Sequence, residues 1–174
     1  MDSDEIIDLV QQDDQVIGSE KRSVVYSKQL KNFRVVNAFV INWRDEVFIP
    51  KRSLAKKLFP GCLDCSVGGH VLSGENYDQA LLRETEEELG LQSSEFSYIS
   101  IGRFSSFCHP VSAMMHLYLI RTDRPVVYHP NDFCEASWYS VQELQKLLLT
   151  SLPSKGDFPF LLNYLLQDYF DVIV

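Results

Sequence analysis

One short stretch combines residue types that could do chemistry: Arg83-Glu84-Thr85-Glu86-Glu87-Glu88. The pattern predicts a helix over Asn76 to Leu89, with Gly90 as its C-terminal stop. At about 100° per residue, with Ala80 at the origin, Glu87 falls at about 340°, Glu84 at about 40° and Glu88 at about 80°. Arg83 falls at about 300°, while Leu81, Leu82, Thr85 and Leu89 occupy about 100° to 200° on the other side. Like charges at i, i+4, such as Glu84 and Glu88, cost a few tenths of a kcal/mol in an isolated helix, and acids near its C-terminus oppose the macrodipole. Divalent cations remove both conflicts. Oxygen ligands gathered on one face suit Mg²⁺ or Mn²⁺, above all where phosphate oxygens complete the shell. A solvated acidic face has the same composition, so the helix alone leaves both readings open.

The residues before the helix narrow the choice. Gly69, five residues, Glu75, seven residues, then Arg83-Glu84-Thr85-Glu86-Glu87-Glu88-Leu89-Gly90-Leu91 resembles the Nudix box, G-x5-E-x7-R-E-U-x-E-E-x-G-U. Eight of nine signature positions match; Thr85 stands where a bulky aliphatic residue is usual, which touches packing rather than chemistry. The resemblance implies an α/β (α+β) Nudix fold, a mixed β-sheet core sandwiched between helices. It implies Glu84, Glu87 and Glu88 as metal ligands, the Gly69 carbonyl as another, and Glu75 and Arg83 holding those carboxylates in place. The segments Glu5 to Gly18, Lys51 to Lys56 and Phe59 to Asp64 are similar to the subgroup related to isopentenyl diphosphate isomerase. Arg52 and Lys56 match an Arg-x3-Lys pair that contacts diphosphate there; a bidentate fork and a point charge suit such oxygens, although a solvated basic loop would carry the same residues.

The implied activity is a Mg²⁺- or Mn²⁺-dependent hydrolase cleaving a diphosphate linkage in a nucleoside diphosphate derivative or related organic pyrophosphate. Glu84 is the first candidate for general base, and Glu135, read as lying in the loop before Trp138, is a second base, ligand or substrate contact. Two alternatives belong to other classes. An isomerase needs a Cys and a Glu at carbon; Cys65 lies near the expected Cys position, but no acid occurs from Phe104 to Ile120. A Nudix-fold nucleotide-binding module without turnover typically lacks one or more box carboxylates, and none is missing here.

These residues need a scaffold. A short hairpin is predicted from Glu5 to Gly18, a central strand from Phe33 to Asn42, a second from Glu46 to Ile49, and a loop over 51–61. Leu63 to Val71 reads as extended, with further strands at Phe96 to Phe104, Ala113 to Arg121 and Trp138-Tyr139. Ser140-x-x-Glu143 is a capping box for a helix to about Leu149, and a last helix runs from near Phe158 to Phe170. The chain reads as a single domain over 1–174, with an N-terminal hairpin and lead-in at 1–30, the box at 69–91 and C-terminal helices at 140–174.

With 24 acids against 16 Lys and Arg the formal charge is −8. Residues 2–20 hold seven acids and no base, and residues 75–95 hold seven acids and one base, leaving ten acids against fifteen bases elsewhere. This balance argues against non-specific nucleic-acid binding, which needs a basic face. It leaves a small-molecule diphosphate as the partner, and homodimers are frequent in the family. No apolar run reaches the roughly 18–20 residues that cross a bilayer, and no secretory signal is visible, so a cytoplasmic location is expected. There Cys62, Cys65, Cys108 and Cys134 read as buried, reduced thiols.

Overall fold

The computed structural model describes residues 4–170. Asp2 and residues 171–174 of the expected C-terminal segment lie outside them. In chain order the elements are β1 (Ile6–Val10), β2 (Val16–Lys21), α1 (Arg22–Ser27), β3 (Arg34–Ile41), β4 (Val47–Arg52) and β5 (Val67–His70). Then follow α2 (Tyr77–Leu89), β6 (Ser97–Phe104), β7 (Met114–Arg121), β8 (Phe133–Tyr139), α3 (Val141–Leu148) and α4 (Phe158–Tyr164).

The strand β3 organises the rest because both of its faces are apolar. Val36, Ala38 and Val40 pack with Val67, Val71, Ala80, Leu81, Leu89, Tyr118 and Ile120, whereas Phe39 and Ile41 pack with Leu117, Leu119, Leu144, Leu161 and Leu162. The period of two along a strand thus sends one set beneath α2 and the other beneath α3 and α4. The sheet order is β6-β7-β3-β4-β8, with β3 and β7 parallel and the other pairs antiparallel. This is the expected mixed sheet between helices.

Beside β3 the sheet divides. Val35 to Ala38 pair with β5, while Val40 and Ile41 pair with β4. At the branch, the fully buried Ser66 hydroxyl accepts from the Val40 N–H at 2.8 Å and donates to the Phe48 carbonyl. Beyond Phe48, the edge of β4 away from β8 meets only an isolated bridge, Lys51 to Leu63, where the Pro50 carbonyl accepts from the Asp64 N–H at 3.1 Å, so Pro50 interrupts no regular ladder there.

Several expectations need correction. Lys51 and Arg52 lie on β4 rather than in a loop, and β8 begins at Phe133, so Glu135 lies on a strand. Lys51 stands opposite Glu135 across the ladder, and this cross-strand charge pair makes a strand of residues whose local propensity is low. Helix α1 was not expected: it has six residues and no cap within itself, but Val25 is buried and the Asp4 carboxylate accepts from the Ser23 N–H and hydroxyl. The regular part of the extended 63–71 segment is only Val67–His70, and α4 passes into a π-helical turn at Leu165–Tyr169. All four cysteines are free, but only Cys65 is buried; Cys62 is half-buried, and Cys108 and Cys134 are exposed.

Candidate active site

The site forms where α2 lies against β5. A reciprocal cap opens α2: Asn76 Oδ1 accepts from the Gln79 N–H, and Gln79 Oε1 accepts from the Asn76 N–H, both at 2.9 Å. The helix ends at Gly90, at φ 65°. Thr85 is fully buried on the apolar face, and its hydroxyl donates to the Leu81 carbonyl at 2.7 Å. The one departure from the signature is therefore satisfied within the helix.

Close approach of strand and helix depends on Gly69. A Cβ there would stand 1.9 Å from the Glu84 carboxyl, so any larger residue would push that carboxyl out of its place. Arg83 binds Glu75 through a two-pronged pair, Nε to Oε1 and Nη2 to Oε2, each 2.9 Å. The same guanidinium donates to Glu84 at 2.7 Å, to Glu87 at 3.4 Å and to the His70 carbonyl at 2.8 Å. Glu75 also accepts from the Leu72 N–H at 3.0 Å, which fixes the loop before the helix. Glu88 turns instead to the Gly68 N–H, at 3.0 Å.

The structure thus brings Glu75, Arg83, Glu84, Glu87, Glu88 and Gly69 together. Glu84 is buried, and burial pushes its carboxyl up to about 7, against the opposing pull of Arg83 and with a further push from Glu87. Burial, followed by the nearby Glu84, also raises Glu88 well above the ordinary carboxylate range. Glu75 is lowered, chiefly by its bonds to Arg83. Glu84 and Glu87 are held by Arg83 and Glu88 by Gly68, so among the described residues no three carboxylates converge on one point. The donor set nonetheless fits a hard divalent cation: carboxylate oxygens, one backbone carbonyl, and buried negative charge that Arg83 only partly balances.

Two other candidates, Arg52 at the end of β4 and Lys56 in the loop after it, are each paired with an acid. Arg52 donates to Asp64 at 2.6 Å and to the Leu58 carbonyl at 3.1 Å, and Lys56 donates to Asp132 at 2.6 Å. Glu135 is exposed on β8 with Lys51 at 2.8 Å, and among the described residues no hydrogen bond joins it to α2. Asp64, Asp132 and Lys155 escaped the sequence reading. Asp64 is buried between Arg52 and Lys155, whose Nζ is 3.5 Å from its second oxygen. Burial is the largest single influence on Lys155 and opposes its charge, but Asp64, with further support that includes Asp157, raises the ammonium above its ordinary value. Only a contact ninety residues apart in sequence could have marked this pair.

The acidic N-terminal hairpin braces the loop before α2. Asp14 accepts from Arg34 Nε at 2.7 Å and from the Tyr77 hydroxyl at 3.1 Å, and the Asp8 carboxylate accepts from the Gly74 N–H at 3.3 Å. The Ser73 N–H donates to the Ile6 carbonyl at 2.8 Å. His70 lies between Glu5, 3.3 Å away, and the Tyr26 hydroxyl, 3.0 Å away.

Comparison with known proteins places this arrangement. Residues 31–159 match the family model for the NUDIX domain. The chain belongs to the Nudix family. It is 47% identical over 153 residues to an uncharacterized Nudix hydrolase of Nostoc sp., covering 88% of this chain and 90% of that protein. The crystal structure of DR0079 from Deinococcus radiodurans superposes with a TM-score of 0.85 at 36% identity, covering 95% of this chain and 99% of that one. An isopentenyl-diphosphate Delta-isomerase of Photorhabdus laumondii is similar at the lower level of 24% over 147 residues, covering 80% of this chain and 82% of the isomerase. The protein is a Nudix hydrolase, of a family that cleaves pyrophosphate linkages in small molecules with divalent cations. No helix among the described residues is long and apolar enough to cross a membrane.

Proposed function

We propose that the protein is a cytoplasmic Mg²⁺- or Mn²⁺-dependent hydrolase of a nucleoside diphosphate derivative or a related organic pyrophosphate. The observation that carries this reading is the Glu75–Arg83–Glu84–Glu87 network pressed against Gly69, with Glu88 beside it. Glu84, Glu87, Glu88 and the Gly69 carbonyl would hold the cation. When bound, the cation neutralises diphosphate charge and lowers the pKa of a coordinated water. Glu75 keeps Arg83 in place, and Arg83 keeps Glu84 and Glu87 oriented. Glu84 is the base we favour, because its buried carboxyl lies against Gly69 at the centre of this network. Arg52 and Lys56, at the end of β4 and in the loop after it, exchange their Asp64 and Asp132 partners for phosphate oxygens when substrate arrives. Glu135 is left at the rim beside Lys51 as an outer contact.

The isomerase alternative loses ground at Cys65. Its side chain is buried, and burial followed by Asp64 pushes the thiol well up, so it is inert as a proton donor to a bound alkene. The test is a panel of diphosphate compounds incubated with protein and Mg²⁺ or Mn²⁺. Release of phosphate or a nucleoside monophosphate from at least one is expected, and no release from any would overturn the reading. Conversion of isopentenyl to dimethylallyl diphosphate would reinstate the isomerase.

A further inference from the structure

The two cations assigned to phosphate leave unequal partners behind. The Asp132 side chain, partner of Lys56, is 21% exposed, so water can solvate it once Lys56 departs. The Asp64 side chain, partner of Arg52, is 5% exposed, and water cannot replace the guanidinium there. Taking the cation from a buried pair leaves an uncompensated charge, and that loss is strongly unfavourable. Arg52 can turn to a phosphate oxygen only if another group balances Asp64.

Lys155 stands where that group is needed. Asp64 Oδ2 accepts from Arg52 Nη1 at 2.6 Å, while Oδ1 accepts from the Cys65 N–H at 2.8 Å and faces Lys155 Nζ at 3.5 Å. That separation exceeds the roughly 2.7–3.2 Å of an N–H···O hydrogen bond, so the ammonium is paired with the acid but not yet bonded to it. Its backbone is fastened beside the acid. The Lys155 N–H donates to the Leu63 carbonyl at 2.8 Å, and the Leu63 N–H donates to the Pro153 carbonyl at 2.9 Å. Two residues on, the buried Asp157 carboxylate accepts from the Ser112 N–H at 3.0 Å and from its hydroxyl at 2.6 Å. The second cation is therefore held within reach of Asp64 by contacts that do not involve Arg52.

We propose that Lys155 is a positioning residue, a standby counter-ion that holds Asp64 when Arg52 turns to a phosphate oxygen of the substrate. This deepens the hydrolase reading and rests on its assignment of Arg52 to phosphate. Lys155 acts through Arg52 and does not itself touch the diphosphate.

A cycle of Tm values tests it without ligand, because Arg52→Met imitates a guanidinium that has left Asp64. Arg52→Met and Lys155→Met should each lower Tm by less than about 6 °C, and the two together by at least about 5 °C more than their sum. Asp64→Asn removes the buried charge, so in that background the excess should shrink to within about 2 °C. A double variant that fails to fold but folds once Asp64→Asn is added supports the proposal equally. Binding is read by titration calorimetry with methylenediphosphonate and Mg²⁺, whose P–C–P bridge is not hydrolysed. Lys155→Met should weaken binding about tenfold alone and less than about twofold in the Asp64→Asn background, and in turnover it should raise KM while kcat holds. Additive Tm losses, unchanged probe binding in Lys155→Met, or a fall in kcat at constant KM overturns the proposal. The same weakening in the Asp64→Asn background makes Lys155 a direct phosphate contact and overturns it too, as does a wild type that fails to bind the probe. Turnover of diphosphate compounds without these couplings leaves the hydrolase and removes the standby counter-ion; the couplings without turnover do the reverse.

Discussion

The two acidic blocks have similar composition and opposite electrostatics. In the N-terminal block each described acid finds a donor: Asp4 at Ser23, Glu5 at Arg22, Asp8 at Gly74, Asp13 at Gln15, Asp14 at Arg34 and Glu20 at Lys21. Glu5 is accordingly lowered to about 2, by its bond to His70 first and by Arg22 as well, against the cost of burial. On α2 the acids crowd one another around a single guanidinium, and burial raises Glu84 and Glu88. Matched acids hold a structure together. Mismatched, buried ones lower stability unless a cation joins them, and that is the mark of a site.

The largest effect that could break this contrast is on turnover. Glu87→Gln should reduce kcat about 10²- to 10⁴-fold in a metal-supplemented assay, within the range expected of a group acting on the reacting centre. Its Tm should stay within about 1 °C, because the Glu87 side chain is 58% exposed. Turnover near wild type would return the α2 acids to the structural class of the hairpin acids.

Next comes the pH dependence of stability in the metal-free protein. Burial pushes the folded Glu84 carboxyl from its ordinary value of 4.5 up to about 7, so the fold disfavours its carboxylate. The penalty is absent below about pH 4.5, grows as pH rises and is complete above about pH 7. Glu84→Gln should therefore match the wild type near pH 4.5 and exceed it by about 2 kcal/mol at pH 8, some 4–8 °C in thermal melts. Glu5→Gln should behave oppositely. The Glu5 contribution is present above about pH 4.5 and is lost as pH falls toward 2, so the variant should melt lower at pH 7 and converge with wild type in acid. Parallel curves for the two variants would erase the distinction between the blocks.

The smallest effect sharpens it from the structural side. Asp14 sits at φ 68°, a conformation Asn tolerates, so Asp14→Asn removes charge without backbone strain. Losing the charged partner of Arg34 and Tyr77 should cost about 1 kcal/mol, or about 2–4 °C in Tm. The kcat/KM measured beside it should stay within about twofold. A much larger loss of activity would make the hairpin part of the catalytic apparatus.

Much of the fold was legible because local rules and packing agreed. The Val-, Ile- and Phe-rich run of β3, the stop at Gly90 and the cap at Ser140 each act over a few residues, and the structure keeps all three. The residues 51–52 and 133–137 were misread as loop because their strand character comes from a partner more than eighty residues away. Helix α1 escaped because its Ser23 N–H is capped by Asp4 from before β1 rather than by a residue of its own.

At the site, spacing alone brought the α2 carboxylates, Arg83, Glu75 and Gly69 to one place, because helix periodicity and a short loop leave little freedom. What remained invisible was depth and direction. Sequence could not show that Glu84 is buried against Gly69, that Arg52 and Lys56 carry acid partners, or that Asp64 lies between Arg52 and Lys155. Burial and long-range charge pairing are properties of the folded surface, set by how β4 and β5 part beside β3. The sequence by itself determined which groups the helix presents; only the tertiary structure decided which of them lie buried and which are matched, and so where chemistry and recognition can occur.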